Sequence, residues 1–504
     1  MLAMLSRSGR VFAASVGALS IGLAATVAMP VATAQPLAWG SCAEWLDTSD
    51  APTAQCGTFT VPVDWDGAAD PQAAQAHLAV IRVPARGRRL GILMMNPGGP
   101  GASAVEFVRD YIARTPNSAL LQHFDIVGFD PRGVGFSEPG LDCLTDAERD
   151  ALRRDPQVDY SPAGVTHIED QRRRFVQACL DHMGAAFLAG MSTATTARDM
   201  DALRAALGEE QITYVGMSYG TMLGIVYGEM FPNRVRAALL DGVEDPQVDP
   251  IADDLAQDTA FQQAFDEFAR SCAQLPDCPL GADPARSVAR FHDLIDPLVN
   301  HRGHTKDPRG LGYSDAIAAT EYALYGQDDW PALNAGLRAL RDGKPADDLL
   351  ELADVFLGRD TAGHYGPEWN VLAATQCVDA AYPGDPAVWV DFDRRVREAA
   401  PFESYGSFTG FAPRDQCVFW PVRPAAAPQP ASWPGPGKVM VISTTGDPAT
   451  PYQVGVEVAA ELGAPLLTFE GTQHTAFIPG TPCVRAAGDA FLIDLRAPDP
   501  GQRC

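Results

Sequence analysis

Residues 211–220 read QITYVGMSYG, an apolar run rich in β-branched residues that ends in a G-x-S-x-G box centred on Ser218. A helix-forming run follows, from Tyr219 to about Met230. This order predicts a strand, a sharp turn and a helix, which is the nucleophile elbow of a hydrolase. The flanking glycines fit because a side chain there would clash with the neighbouring backbone. The alternative, a chance match in a glycine-rich chain, does not explain the strand–turn–helix order.

A serine hydroxyl is a weak nucleophile, so it needs a base, and the base needs an orienting acid. With this elbow the chain order is Ser, then Asp or Glu, then His. Asp447 follows an apolar strand predicted at 438–443, and His474 follows one predicted near 465–469. Sites of open α/β sheets gather at the carboxyl ends of strands. We therefore expect Ser218, Asp447 and His474 to form a catalytic triad. The alternatives are that Asp447 only initiates a turn before its proline and that His474 is an ordinary loop residue.

The oxyanion hole is expected in a loop after an earlier strand. Residues 91–95 form an apolar run that continues into NPGGPG at 96–101. Paired glycines let backbone amides approach a substrate oxygen closely. We expect the amide of Gly99, or of its neighbour Gly98, to act together with the amide of Tyr219. A plain Gly/Pro turn is the alternative.

Five motifs together resemble the secreted tripeptidyl-aminopeptidase-like branch of the α/β-hydrolase superfamily, known from actinobacteria and related to proline iminopeptidases. They are NPGGPG at 96–101, GFDPRGVGFS at 128–137, GMSYGT at 216–221, GDPATP at 446–451 and QHT at 473–475. The resemblance extends from about residue 36 to the C-terminus. It implies an α/β-hydrolase fold, with a mostly parallel central sheet flanked by helices and a large inserted helical cap. Many relatives carry Gly-His at the catalytic histidine, where this chain has Gln473 and His474.

The same resemblance implies a Ser–Asp–His hydrolase without a cofactor. Members are often exopeptidases that remove short N-terminal peptides, and some act as esterases. The loop at 130–137 is expected to shape the fold near the site rather than to take part in chemistry. An exported carboxylesterase or lipase is therefore the alternative function. An endopeptidase with an open cleft and a catalytically idle binding protein are further alternatives.

An aminopeptidase needs an anion for the α-ammonium group of its substrate, because a buried unpaired cation is costly. Asp241 and Glu244 follow a predicted core strand, and Asp379 lies two residues after Cys377, where a disulfide would hold it rigidly. We expect one of these three carboxylates to face the pocket. A turn, cap or surface role is the alternative for each, and an esterase would have a more apolar pocket without such an anchor.

Residues 1–34 are typical of a secretory signal peptide. Arg7 and Arg10 precede a long apolar, small-residue stretch, and residues 32–34 read ATA, an A-x-A cleavage pattern. We expect a secreted or cell-envelope protein without a stable transmembrane anchor after cleavage. A membrane anchor formed by the same stretch is the alternative.

Ten cysteines fit an oxidising compartment. Their spacing suggests pairing in sequence order, although connectivity does not follow from sequence alone. No set has convincing zinc spacing, so no metal is expected. The candidate pairs are Cys42–Cys56, Cys143–Cys179, Cys272–Cys278, Cys377–Cys417 and Cys483–Cys504.

The formal net charge is −26. An acidic chain is a poor partner for nucleic acid or for anionic membrane surfaces, since its surface field repels both. The partner expected is a peptide or ester substrate, and the oligomeric state is left open.

The length of the chain, its composition and its hydrophobic periodicity divide it into four parts. After the signal peptide at 1–34, predicted core strands occur within 35–245 and again within 437–504. Residues 246–436 instead show helical spacing at 251–272, 314–340 and 346–357, and end in a Pro/Ala/Gly-rich linker at 423–437. The interpretation is a hydrolase core in two segments with a helical cap inserted between them.

Overall fold

The computed structural model describes residues 37–49, 51–68, 70, 72–247, 249–424, 431–433, 438–478 and 480–504. The predicted signal peptide at 1–34 lies outside the described residues, as does most of the predicted linker at 423–437.

One sheet of eight strands forms the centre of the fold, in the order β1-β2-β4-β3-β5-β6-β7-β8. The first two pairings, β1 with β2 and β2 with β4, are antiparallel, and the other five are parallel. Strands β4, β5 and β7 are buried along their whole length, and β6 is buried at every position except Arg236, as expected of parallel strands covered on both faces. The strands are β1 (Gln55–Pro62), β2 (Gln75–Val83), β3 (Gly91–Asn96), β4 (Phe124–Phe129), β5 (Ile212–Met217), β6 (Val235–Asp241), β7 (Val439–Thr444) and β8 (Leu466–Phe469).

Fifteen α-helices and four short 3₁₀ helices complete the described part of the chain. The α-helices are α1 (Ala104–Arg114), α2 (Leu120–His123), α3 (Asp146–Arg154), α4 (Pro162–Ala189, kinked at Gly184), α5 (Thr193–Ala206), α6 (Tyr219–Met230), α7 (Pro250–Cys272), α8 (Ser287–Ile295), α9 (Tyr313–Leu324), α10 (Trp330–Arg341), α11 (Asp347–Phe356), α12 (Glu368–Asp379), α13 (Pro386–Ala399), α14 (Tyr452–Glu461) and α15 (Pro482–Asp494). The 3₁₀ helices are Pro284–Arg286, Asp296–Val299, Gln327–Asp329 and Gln416–Phe419.

Each face of the sheet is covered by its own set of helices. Leu93 and Met95 of β3 point to the face that α1 and α15 cover, whereas Ile92 and Met94 point to the face covered by α5, α6 and α14. This alternation follows from the two-residue period of a strand. The predicted mostly parallel sheet with flanking helices is confirmed.

The described residues between β6 and β7 form helices α7 to α13 and no strand. These helices have a hydrophobic cluster of their own, in which the Phe265 ring stacks on Phe402 at 4.9 Å between centroids. The stretch expected to be helical at 314–340 consists of two helices, α9 and α10, joined by a 3₁₀ turn. The inserted helical segment is thus present, and 246 and 436 remain proposed boundaries.

Helices α3 and α4, which the sequence places with the core, pack on the inserted helices. Val176 and Leu188 of α4 share a cluster with Val371, Ala374 and Val378 of α12. Arg153 of α3 also forms ion pairs with Asp315 of α9 and Asp354 of α11. The helical layer over the carboxyl edge of the sheet therefore draws on two segments of the chain.

Five disulfides are present, and they are the five pairs expected from sequence order: Cys42–Cys56, Cys143–Cys179, Cys272–Cys278, Cys377–Cys417 and Cys483–Cys504. Within the described ranges, no helix combines the length and the apolarity needed to cross a bilayer.

Candidate active site

Ser218 lies at the turn between β5 and α6, with φ 55° and ψ −132°. Non-glycine residues rarely adopt this conformation, and it turns the side chain away from the sheet. A Cβ on Gly216 would lie 2.2 Å from the carbonyl oxygen of Gly220, and one on Gly220 would lie 2.6 Å from that of Asn96. The strand–turn–helix expected around Ser218 is therefore present, with the reason for both glycines visible in the packing.

Four neighbouring parallel strands, β5 to β8, end at the carboxyl edge of the sheet, and one polar residue lies at or after the end of each. Ser218 follows β5, Asp241 ends β6, Asp447 follows β7 and His474 comes after β8. Because these strands are consecutive in the sheet, loops distant in sequence meet here.

Asp447 and His474 are in direct contact. The Nδ1 of His474 lies 2.8 Å from Oδ1 of Asp447 and 3.1 Å from Oδ2. The Asp447 carboxylate is fully buried and also accepts the amides of Ala449, Thr450 and Thr475 at 3.0, 2.9 and 3.1 Å. With its acceptor positions filled, the carboxylate can hold the imidazole in one orientation with Nδ1 as donor.

The cap contributes the other wall around His474. The Tyr325 ring meets the imidazole edge-on at 5.4 Å between centroids, and the Tyr325 carbonyl accepts the His474 amide at 2.8 Å. Burial lowers the pKa of His474, but the charge and hydrogen bond of Asp447, with the more distant charges of Asp241 and Glu244, raise the pKa above its usual value. The surroundings thus favour a histidine that gains a proton readily.

The glycine loop packs directly against the elbow. A Cβ on Gly98 would lie 2.9 Å from Cβ of Ser218 and 3.0 Å from the amide nitrogen of Tyr219. The Gly98 amide donates to Oδ1 of Asn96 at 2.9 Å, so it is already engaged. Gly99 has φ 111°, which a glycine adopts without strain. Because the Gly98 amide is engaged, the amide of Gly99 is the loop donor that stays a candidate to act with the amide of Tyr219.

Asp241 lies under the histidine loop and is fully buried. Its Oδ2 accepts the amides of Ala476 and Phe477 at 2.8 and 2.7 Å, and its backbone carbonyl accepts the Ser218 amide at 3.0 Å. Burial raises the pKa of Asp241 to about 6. Of the three carboxylates predicted as candidates for the anchor, Asp241 is the one without exposed surface.

Glu244 lies between the elbow helix and the histidine. Its amide donates to Oγ1 of Thr221 at 3.0 Å, which fixes the start of the segment after β6. The side chain is partly exposed, yet burial raises its pKa to about 8, with a contribution from the charge of Asp253. A side chain that is partly exposed to solvent but loses much of its hydration is typical of the wall of a cleft.

Asp379 ends α12 and contacts the first residue of α5. Its carboxylate accepts the Thr193 amide at 3.0 Å and the Thr193 hydroxyl at 2.5 Å. The Thr193 hydroxyl lies 2.6 Å from the hydroxyl of Tyr219. Burial raises the pKa of Asp379 to about 6, although part of the side chain stays exposed. Asp379 therefore connects the cap to the residue after the nucleophile.

Further carboxylates around the cleft were not found by sequence reasoning. Burial raises the pKa of Asp254, Asp258 and Glu321 to about 8, 7 and 8. These residues lie on α7 and α9, and nothing in their local sequence distinguishes them from the acidic residues on a solvated helix face. Tyr325 likewise carries no motif.

The loop at 130–137 has a structural role, as expected. Asp130 accepts the amides of Val105 and Phe136 at 3.0 and 2.9 Å. Arg132 is buried in an ion pair with Asp199 at 2.6 Å. Asp130 thus connects the loop to the start of α1, and Arg132 connects it to α5.

One group of possible metal ligands occurs among the described residues, formed by Cys377, Asp415 and Cys417. Its two sulfur atoms are joined in a disulfide and so lack the thiolate that a metal needs.

The family model described as alpha/beta hydrolase fold matches residues 91–481. Carboxylesterase B of Mycobacterium tuberculosis is 53% identical over 484 residues, covering 96% of this chain and 92% of that protein. The serine protease Hip1 of the same organism is 45% identical over 478 residues, covering 93% and 91%. The tripeptidyl aminopeptidase of Streptomyces lividans is 31% identical over 491 residues, covering 94% and 87%.

The solved structures that are similar include a proline iminopeptidase of Mycobacterium smegmatis, with 14% identity, a TM-score of 0.35, and coverage of 87% of this chain and 98% of that chain.

Proposed function

The chain belongs to the alpha/beta hydrolase fold family as a serine hydrolase, and we propose that it is an exported aminopeptidase. The proposed reaction releases short, tripeptide-like peptides from free N-termini through an acyl-enzyme. Relatives named serine protease and tripeptidyl aminopeptidase, at 45% and 31% identity, support the peptidase class.

In the proposed mechanism, Ser218 attacks the scissile carbonyl while His474 accepts the serine proton. Asp447 holds His474 through Nδ1 and stabilises the imidazolium that forms. The amides of Gly99 and Tyr219 stabilise the oxyanion of the tetrahedral intermediate. His474 then protonates the leaving amine, and water releases the acyl group by the same steps in reverse order.

The observation that carries the aminopeptidase proposal is Glu244. Its carboxylate lies close enough to His474 and Asp379 for the charges to act on one another. No described lysine or arginine pairs with Glu244 or Asp379. A substrate ammonium group would supply the missing cation, and the carboxylate would in turn offset the cost of burying that ammonium.

The acidic residues of the cap support the same substrate class. Asp253, Asp254, Asp258 and Glu321 continue the acidic cluster from Glu244, and burial and mutual repulsion raise their pKa values, so the cluster is only partly ionised near neutral pH. A cation nearby favours the ionised form of such carboxyl groups, whereas an anion disfavours it. Peptides with a free, charged N-terminus therefore fit this cleft better than N-blocked peptides do.

A carboxylesterase is the second candidate, because the relative at 53% identity carries that name. It would use the same serine, histidine and aspartate. An esterase has no need for an ammonium anchor, so the two candidates differ in what the removal of Glu244 should do.

The test compares three substrates: a free-amine tripeptide anilide, its N-acetylated twin and a short-chain nitrophenyl ester. The aminopeptidase proposal expects the first to be cleaved far better than the second, and Ser218→Ala to abolish all cleavage. Ester cleavage alone would make the protein a carboxylesterase. Full activity in Ser218→Ala would contradict the mechanism.

Glu244→Gln and Asp379→Asn then locate the anchor. Replacing the true anchor should raise KM for the free-amine peptide by about 10- to 100-fold, the effect of losing a charge-assisted hydrogen bond, and leave KM for the ester unchanged. Glu351→Gln is the matched control, because Glu351 is exposed on α11 and its replacement removes the same charge. Equal KM values in all three variants would remove both candidates.

Export is part of the proposal. It is supported by the signal-like segment at 1–34 and by five disulfides, which persist in oxidising compartments. Detection of the mature protein outside the cytoplasmic membrane, with an N-terminus near Gln35, would support it. Retention of residues 1–34 on a cytoplasmic protein would contradict it.

A further inference from the structure

Asp241 makes backbone contacts to both halves of the proposed catalytic pair. Its carbonyl accepts the amide of Ser218 at 3.0 Å. Its carboxylate accepts the amides of Ala476 and Phe477, which follow His474 by two and three residues, at 2.8 and 2.7 Å. A single residue at the end of β6 therefore connects the nucleophile turn to the histidine loop.

We propose that Asp241 is a positioning residue that holds these two loops in register and keeps a negative charge beside His474. The inference rests on the proposed function, since it assumes that Ser218 and His474 react together. It assigns Asp241 to the catalytic geometry rather than to substrate binding.

The histidine loop needs such a restraint. Thr475 has φ 60°, a left-handed conformation that costs energy for a β-branched residue unless neighbouring contacts impose it. The contacts on either side of it are the Asp447 carboxylate, which accepts the Thr475 amide, and the Asp241 carboxylate, which accepts the next two amides. Two buried carboxylates thus fix four consecutive residues of the loop, counting His474 itself.

The residue after Asp241 shows how closely β6 approaches the histidine. Gly242 has φ 68°, and a Cβ there would lie 3.2 Å from Cε1 of His474 and 3.1 Å from Cγ2 of Thr475. A side chain at position 242 would therefore press on the imidazole, and on the Thr450 hydroxyl, which would lie 2.9 Å from the Cβ. The contact with Gly242 at the end of β6 limits the position of the imidazole, and the hydrogen bond from Nδ1 to Asp447 sets its orientation.

The charge of Asp241 acts on the same group. Asp447, which raises the pKa of Asp241, and His474, which lowers it, are the charged groups that face this carboxylate. In return, the Asp241 charge adds to that of Asp447 in raising the pKa of His474. A negative charge at this position stabilises the imidazolium form in the transition state.

The helices packed on β6 bring other charges, but these act elsewhere. On α15, Arg485 acts on Asp489, and Asp494 acts on Arg236 of β6. On α6, Glu229 accepts the amide of Ser432.

The test measures the rate at which a fluorophosphonate labels the active-site serine, as a function of pH. This reagent phosphonylates serine hydrolases with loss of fluoride and requires no knowledge of the natural substrate. The rate falls at acid pH as the base becomes protonated, so the midpoint of that fall reports the pKa of His474. The proteins compared are the wild type, Asp241→Asn and Ser218→Ala.

Asp130→Asn is the matched control. Asp130 is also buried, also accepts two backbone amides, and burial raises its pKa to about 6. It follows β4, three strands from β6 in the sheet, which places it about 14 Å away at the usual strand spacing.

In Asp241→Asn, the acid midpoint should move about 0.5 to 1 pH unit lower, because a nearby negative charge no longer favours the imidazolium. The maximal labelling rate should fall at least tenfold. Asp130→Asn should leave the midpoint in place, even if it lowers thermal stability. An unmoved midpoint in folded Asp241→Asn would overturn the inference.

Gly242→Ala gives an independent arm that does not change any charge. It should lower the maximal rate by displacing His474, with a smaller shift of the midpoint than in Asp241→Asn. An unaltered rate would overturn the inference that the end of β6 holds the two loops in register. This outcome can be read even if Asp241→Asn fails to fold. Labelling that persists in Ser218→Ala would instead contradict the proposed function, so the two failures are distinguishable.

Discussion

The Nδ1 of His474 lies 2.8 Å from the Oδ1 of Asp447, and the carboxylate that receives it has no exposed surface. Three backbone amides, those of Ala449, Thr450 and Thr475, fill the rest of its acceptor positions. The geometry leaves one proton arrangement for the ring, with Nδ1 as the donor and Nε2 free to accept.

Asp447→Asn should lower kcat by about 10³- to 10⁴-fold while KM changes little. An amide group in place of the carboxylate would turn an N–H₂ toward the ring or toward the three amide donors, and it would favour the wrong tautomer. Steady-state kinetics on the best substrate measure the effect. Asp348→Asn, on the exposed face of α11, is the control for loss of one negative charge. A fall in kcat of less than tenfold would mean that Asp447 does not orient the base.

Gly99→Ala should lower kcat by about 10²- to 10³-fold, the cost of losing one oxyanion donor. The residue has φ 111°, and a Cβ there would lie 2.7 Å from the amide nitrogen of Gly101 and 2.9 Å from that of Ala102. The loop must shift to admit the methyl group, and the amide moves with it.

Gly410→Ala separates that effect from backbone strain alone. Gly410 also has a positive φ, 80°, but a Cβ there meets no atom within 4 Å. Both variants should lose some stability, and only Gly99→Ala should lose turnover. Similar kcat values in the two variants would remove Gly99 from the oxyanion hole.

The elbow and the glycine loop could be predicted from sequence because their backbone geometry restricts the residue type. Ser218 needs glycines on both sides, and Gly98 needs to lack a side chain where it meets the elbow. Asp447 and His474 were found because each follows a strand, and parallel strands deliver their loops to one edge. Each of these signals lies within a short stretch of sequence, so it can be recognised in one sequence without a structure.

Contacts between distant segments could not be predicted in the same way. Asp379 meets Thr193 across 186 positions, and Asp241 meets Ala476 across 235. The sequence placed Asp241 at the right strand end, but which group its carboxylate faces depends on the path of the histidine loop. For the same reason, the packing of α4 on α12 has no local signature.

The Cys377–Cys417 disulfide should stabilise the protein more than the Cys272–Cys278 disulfide does. The first closes a separation of 40 residues and the second one of 6. Loop-closure entropy gives about 4 and about 2 kcal/mol for these loops. Double Cys→Ala variants of each pair, compared by chemical denaturation, measure the difference.

The same pair of variants has a functional readout. Asp379 is two residues from Cys377 on α12, so loss of the Cys377–Cys417 bond should also raise KM for free-amine peptides. Loss of the Cys272–Cys278 bond should not. Equal losses of stability, with KM unchanged in both, would contradict the prediction.

Glu321→Gln should stabilise the protein at pH 8 and have a much smaller effect at pH 5. Burial, with the charge of Asp258, raises the pKa of Glu321 from 4.5 to about 8. The folded state therefore keeps a proton that the unfolded chain releases between these two values, and wild-type stability falls as pH rises from 4.5 to 8. Glutamine stays neutral throughout, so it avoids this loss.

The measurement is Tm at both pH values for the wild type, Glu321→Gln and the exposed-site control Glu351→Gln. We expect a gain of about 1–3 °C at pH 8 in Glu321→Gln alone.

Glu169 contributes a pH dependence of stability with the opposite sign. Its pKa is lowered to about 2, mainly by its hydrogen bond with Arg414. Its contribution is complete above about pH 4.5 and is lost as pH falls toward 2. Wild-type stability should therefore be greatest near pH 5. A wild-type Tm that rises steadily from pH 5 to 8 would contradict the raised pKa of Glu321.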